Sequence, residues 1–133
     1  MAFKGWYGMA EKTRLVLIVD DDPLIISRVG EVLQSAGISF IHASNGLEGL
    51  KQLATGQPEL VILDVNMPEL DGMQTCRLIK ANEKFRSLPV LMLTSRNDIT
   101  HMMEARRVGA DDYLVKPVDP EALLTKINRL FAR

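Results

Sequence analysis

Leu60-Val61-Ile62-Leu63-Asp64-Val65-Asn66-Met67-Pro68-Glu69-Leu70-Asp71-Gly72 is the stretch that decides how the 133-residue chain is read. Four apolar residues, Leu60 to Leu63, run straight into the carboxylate of Asp64. A short unbroken apolar run closed by turn residues is the pattern of a strand covered on both faces, since alternation arises only where one face meets water. Pro68 has no N–H to give to a ladder, and Gly72 tolerates unusual dihedrals, so the chain is expected to turn soon after Asp64. A lone carboxylate at the mouth of such a strand is either a satisfied structural group or a functional one.

The same pattern recurs outward in both directions. Arg14 to Val19 reads as a first strand ending in Asp20, Asp21 and Asp22. Asp22 is a good N-cap and Pro23 suits a first helical position. Ile25 or Ile26, Val29, Val32 or Leu33, and Ala36 follow at helical spacing up to Gly37. Ile38 to Ala43 reads as the second strand. Asn45 with Glu48 resembles a capping box for a short helix through about Ala54 that stops at Gly56. After the third strand, Asp71 is expected to cap a helix with Met73, Cys76 and Ile79 on its inner side. Pro89 to Leu93 is the fourth strand, ending at Thr94 and Ser95. A helix from about Asn97 to Val108 has a ragged stripe, Ile99, Met102 and Met103 giving way to Arg106 and Arg107, so it is expected to bury less than the others. Asp112 to Val115 is the fifth strand. Asp119 and Pro120 open a last helix with Leu123 or Leu124, Ile127, and Leu130 or Phe131 inward.

Five buried strands alternating with five helices predict an α/β protein with a parallel sheet covered on both faces. The length suits one core, read as a domain over residues 14–133 after a leader over residues 1–13 whose Trp6 and Tyr7 either dock or stay loose. A hydrophobic content of 47% with 25% charged residues excludes a disordered chain. The net charge of −1 gives no footprint for nucleic acid, so no direct nucleic-acid binding is expected. One cysteine, Cys76, excludes an internal disulfide framework and reads as packing. No apolar run approaches a membrane span and no signal-peptide core is seen, so the expected location is cytoplasmic, away from any membrane. The chain ends with its fifth helix, and no output segment is expected within it.

In open parallel sheets, ligands bind outside the carboxyl ends of the strands. Polar residues gather at four of those ends: Asp20 and Asp21, Asp64, Thr94, and Lys116. Three carboxylates in one crevice repel unless a cation compensates, and a set of oxygen ligands with room for water suits Mg²⁺. A metal, a lysine and a hydroxyl around one aspartate are the parts that stabilise charge on a phosphoryl group, with Asp64 as nucleophile. Each has a plainer reading too. Asp22, Asp71 and Asp119 read as caps, Asp20 as a partner of a helix N-terminus, Thr94 as a strand terminator and Lys116 as a solvated charge. His42 and His101 have no ligand-spaced partner and are expected to face solvent.

Val-Asp-Asp-Asp-Pro at 19–23, Leu-Asp-Val-Asn-Met-Pro-Glu-Leu-Asp-Gly at 63–72, Leu-Thr-Ser at 93–95 and Gly-Ala-Asp-Asp-Tyr-Leu-Val-Lys-Pro at 109–117 resemble the two-component response-regulator receiver domain. The resemblance covers roughly residues 14 to 133. It implies a doubly wound, flavodoxin-like sheet of order 2-1-3-4-5, as in the chemotaxis member of that family. It further implies that Asp64 accepts a phosphoryl group from a phosphohistidine on a sensor histidine kinase or phosphotransfer protein. Asp20, Asp21, Asp64 and the backbone carbonyl of Asn66 would hold Mg²⁺, with Asp21 a direct ligand and Asp20 acting largely through water. Lys116 would pair with the phosphate, and its bond to Pro117 would be cis. Thr94 and Tyr113 would form the switch, and Asn66 and Arg96 would tune decay. Signalling would pass to a downstream protein partner through the face of the fourth helix, fifth strand and fifth helix. Such a domain is not an enzyme in the usual sense, although it catalyses phosphorylation and dephosphorylation of its own Asp64.

Three rival readings share parts of this pattern. An aspartate-nucleophile phosphohydrolase also uses an Asp at a strand end with Mg²⁺, but it carries Asp-x-Asp where this chain has Asp64-Val65-Asn66. A flavodoxin-like cofactor binder would need a phosphate-cradling first loop, which three carboxylates oppose. A phosphorylation-independent scaffold of the same fold has no need of a complete site.

Overall fold

Each apolar run in the described residues, 13–133 of a computed structural model, becomes a strand whose backbone groups pair with neighbours while its side chains face two separate cores. The strands are β1 (Leu15–Val19), β2 (Ser39–Ala43), β3 (Leu60–Asp64), β4 (Val90–Thr94) and β5 (Asp112–Val115). They alternate with α1 (Pro23–Ser35), α2 (Gly46–Gly56), α3 (Gly72–Ala81), α4 (Ile99–Arg107) and α5 (Pro120–Phe131). The sheet is five-stranded and parallel in the order β2-β1-β3-β4-β5, as the resemblance implies. Parallel strands require crossovers, and the helices that make them cover both faces.

Alternation along the central strands sorts the core into two layers. Leu17, Val61, Leu63 and Met92 face a cluster completed by Cys76 and Ile79 of α3 and Leu53 of α2. Val16, Ile18, Ile62 and Leu91 face the other, completed by Val29 and Leu33 of α1 and Leu123, Ile127 and Leu130 of α5. Three of the choices left open between neighbours are thereby settled, with Leu33, Leu123 and Leu130 the fully inward members of their pairs, whereas Ile25 and Ile26 are both half-buried against the second cluster. Cys76 is a packing residue, wholly buried. Residues 1–12, which include Trp6 and Tyr7, lie outside the described residues.

The expected caps are in place. Asp22 accepts from Leu24 N, Asn45 from Glu48 N, and Asp119 from Ala122 N. Asp71 forms a full capping box with Gln74. Several boundaries move. Ile38 precedes its strand, and Thr94 lies within β4 as its last residue. Ala36 ends α1 as an exposed cap residue instead of an inward one.

Two glycines serve close approach: the helix stops at Gly56 as expected, whereas Gly72 supplies no unusual dihedral. Gly56 is the last residue of α2, and Gln57 takes the left-handed conformation at φ 54°. A Cβ on Gly56 would come within 2.5 Å of Ile41 Cδ1, so close approach of α2 to β2 is what excludes a side chain. Gly72 likewise serves proximity: a Cβ there would sit 2.2 Å from the Asp64 carbonyl oxygen. The turn's positive φ is carried by Glu69, at 67°. Gly72 N donates to Val65 O at 2.8 Å, folding the start of α3 back onto the end of β3.

Candidate functional site

Register places the polar residues side by side. β3 lies between β1 and β4, Val19 pairs with Leu63, and Asp64 pairs with Leu93. Asp20 follows β1 directly, Asp64 ends β3, Thr94 ends β4 and Lys116 follows β5, so all four collect at the carboxyl edge of the sheet. Oxygen atoms of Asp20, Asp21 and Asp64 lie within 4.8 Å of one another, a set that could hold a metal ion. Hard carboxylate oxygens of this kind suit Mg²⁺ better than a softer metal. Asp21 is exposed, whereas Asp20 and Asp64 are buried.

Lys116 reaches across the edge to both buried acids. Its Nζ lies 3.0 Å from Asp64 Oδ1 and 3.3 Å from Asp20 Oδ2. Its peptide bond to Pro117 is cis. Burial pushes the Asp20 carboxyl up to about 6; the Asp22 N–H and Lys116 oppose the rise and the Asp64 charge adds to it. Burial raises Asp64 as well, against the Lys116 hydrogen bond and charge. For Lys116 burial acts downward, but the Asp64 hydrogen bond and the charges of Asp20 and Asp64 leave it raised. One ammonium among three carboxylates leaves the edge short of positive charge. A divalent cation would supply it, and on this donor set Mg²⁺ fits.

Thr94, with no exposed surface, ends the strand that pairs with β3 and touches α4 through His101. Its Oγ1 accepts from Arg96 N at 3.1 Å and meets His101 Nε2 at 3.3 Å. The Tyr113 hydroxyl donates to the Arg96 carbonyl. Burial raises the Tyr113 phenol above its usual range. Arg96 is more than half exposed and grips Asp98 Oδ2 through Nε at 2.9 Å and Nη2 at 2.7 Å. Asn66, exposed at the turn after β3, lines the same groove as Arg96, His101 and Arg77, a space of about 270 Å³.

The family model of the response regulator receiver domain matches residues 16–128. The chain belongs to that family. Protein PilG of Pseudomonas aeruginosa is 39% identical over 113 residues, covering 85% of this chain and 84% of its own length. The DNA-binding dual master transcriptional regulator RpaA of Synechocystis is 37% identical over 118 residues, 89% of this chain. The match spans only 49% of RpaA, so this receiver domain corresponds to about half of that regulator. Among solved structures, the chemotaxis protein CheY4 of Vibrio cholerae is 34% identical with a TM-score of 0.85, covering 90% of this chain and 99% of its own. A putative response regulator from Chloroflexus aurantiacus is 35% identical with a TM-score of 0.88, covering 92% and 100%. The protein is therefore a receiver domain of a two-component response regulator, with an acidic cluster at the carboxyl edge of its sheet.

Of the two histidines of this receiver domain, one departs from its sequence reading. His101, expected to face solvent, is 9% exposed and hydrogen-bonded to Thr94. The lack of a ligand-spaced partner misled, because its partner is a hydroxyl on another element. The usable signal was position: His101 is the third residue of α4, and a helical side chain leans toward its helix N-terminus, here toward the end of β4. His42 is exposed as expected. Among the described residues no helix is long and apolar enough to cross a membrane.

Proposed function

We propose that Asp64 accepts a phosphoryl group from a phosphohistidine on a sensor histidine kinase or phosphotransfer protein, in a domain spanning residues 14–133. The observation that carries this reading is the Lys116 ammonium 3.0 Å from Asp64, inside a cluster of three carboxylates. A carboxylate oxygen of Asp64 attacks phosphorus, the P–N bond breaks, and the imidazole leaves with the bonding electrons and takes a proton from solvent. Asp20, Asp21, Asp64 and the carbonyl of Asn66 would hold Mg²⁺, and the ion would supply positive charge for the phosphoryl oxygens. Lys116 pairs with a phosphoryl oxygen, and Thr94 donates to another.

Asn66 and Arg96 border the path of the water that later cleaves the acyl phosphate. Replacing either by alanine changes the decay rate, and decay at the parent rate in both would count against their role. Thr94 and Tyr113 couple the site to the α4–β5–α5 face, where a downstream protein docks; the domain works in the cytoplasm. If Tyr113→Ala leaves partner affinity equally dependent on phosphorylation, that coupling is wrong. The whole reading is tested by incubation with Mg²⁺ and a small acyl-phosphate donor, followed by intact mass. One phosphoryl group is expected on the parent and none on Asp64→Ala. No gain on the parent, where a control receiver is phosphorylated, sinks the assignment.

A further inference from the structure

His101 is one of only two buried residues in α4, the other being Ala105. Around them Ile99 and Met103 are 71% and 66% exposed, so little apolar packing holds this helix to the sheet. Its first turn is held instead by a closed ring of hydrogen bonds. Asp98 Oδ1 accepts from His101 N at 2.9 Å, while Asp98 Oδ2 grips the Arg96 guanidinium. Arg96 N donates to Thr94 Oγ1, and His101 Nε2 meets the same oxygen. The Tyr113 ring stands edge-on to the His101 imidazole, 6.2 Å between centroids, and its hydroxyl ties to the Arg96 carbonyl.

A threonine hydroxyl has one donor hydrogen and two acceptor sites. Arg96 N fills one acceptor site. His101 Nε2 then either takes the hydroxyl proton or donates to the second site, according to its tautomer. With Nε2 as the acceptor, the single hydroxyl hydrogen is committed to α4 and none is left for an oxygen on Asp64, and this is the arrangement on which the switch acts.

We propose that His101 is the positioning residue that holds Thr94 in the resting arrangement, so that a phosphoryl group on Asp64 recruits Thr94 only by breaking the Thr94–His101 bond. This rests on the phosphoacceptor reading of Asp64. Loss of that bond removes one of the few anchors of α4, and it withdraws the ring against which Tyr113 stands. A ligand shifts a two-state equilibrium only by its differential affinity, and here the differential is one hydrogen bond exchanged for another. His101 thus sets the threshold of the switch without touching the phosphoryl group.

The test is a titration of the full chain with beryllofluoride and Mg²⁺, a mimic of the bound phosphoryl group, followed by amide NMR. His101→Ala and the bulkier His101→Leu are expected to lower the half-saturating concentration about fivefold, the factor one ordinary hydrogen bond is worth. His101→Gln, whose amide can reach the hydroxyl, is expected to restore the parent value. In the Thr94→Val background, His101→Ala is expected to change nothing. A purely structural role would shift both backgrounds equally, and that result overturns the proposal, as does an unchanged or raised midpoint in His101→Leu. Absence of binding by the parent is a different failure: it overturns the phosphoacceptor reading itself.

Discussion

Asp20 has no exposed surface, yet its carboxyl stands among two other acids and a single lysine. Burial is the main reason its carboxyl is pushed up to about 6 from an ordinary value of 3.8. The folded protein therefore holds this proton more tightly than the unfolded chain does. Between those values the folded state binds more protons, so the contribution of Asp20 to stability falls as pH rises from about 4 to about 6 and stays lost at 7. Asp20→Asn keeps an oxygen for the Asp22 N–H, leaves Lys116 its bond to Asp64, and removes the penalty. In the absence of divalent metal it is expected to stabilise the fold at pH 7 by about 1–3 kcal/mol, shrinking toward zero near pH 4. Urea midpoints of parent and variant across that range check this. A variant less stable than the parent at pH 7 would show that the carboxylate is satisfied as it stands. For the proposed Mg²⁺ site the same proton must leave, so affinity is expected to weaken as pH falls through about 6.

At the scale of the element, the end of α3 shows how one polar side chain can fasten a connection that apolar contacts of Phe85 and Leu88 also hold. Lys80 Nζ donates to the carbonyls of Arg86 and Leu88, at 3.2 and 2.7 Å, and to Asp111 Oδ2 at 2.8 Å. Asp111 Oδ2 also accepts from Val90 N at 2.8 Å, and its Oδ1 takes Arg133 at 3.1 Å. Lys80 thus fastens α3, the connection to β4, and the entry to β5 at one point, with both charged groups about 15% exposed. Lys80→Met keeps the apolar stem but takes the ammonium from two carbonyls and leaves Asp111 with Val90 N and Arg133 alone. The expected cost is about 1–3 kcal/mol, read as a lower urea midpoint at unchanged slope. A loss within the scatter of surface substitutions would show that water replaces the ammonium freely. Nothing local in the sequence marks this staple, since Lys80 and Asp111 are 31 positions apart and each alone looks solvated.

Across the whole molecule, what the chain declares in advance is what periodicity and strand-end chemistry can carry. The runs at Leu15–Val19, Leu60–Asp64 and Val90–Thr94 are apolar because both faces are covered, so they announce themselves and bring Asp20, Asp64 and Thr94 to one edge. Contacts between elements are silent by comparison: His101 against Thr94, Gly72 against the Asp64 carbonyl, Gly56 against Ile41. The raggedness of α4 was legible, and it has a consequence for the distribution of stability. α4 offers His101 and Ala105 to the core, whereas every residue of β3 and β4 is buried. Local opening is easiest where few buried contacts must be broken. Native-state hydrogen exchange is therefore expected to find the amides of α4 opening well below the global unfolding free energy, and those of β1, β3 and β4 only with it. Beryllofluoride and Mg²⁺, on the phosphoacceptor reading, should change protection in α4 and β5 more than in α1, because the Thr94–His101–Tyr113 contacts lie on that side of the sheet. Protection of α4 equal to that of α1 in the free protein would mean that the hydrogen-bonded ring holds the helix as firmly as apolar packing does, and the switch would have to act elsewhere.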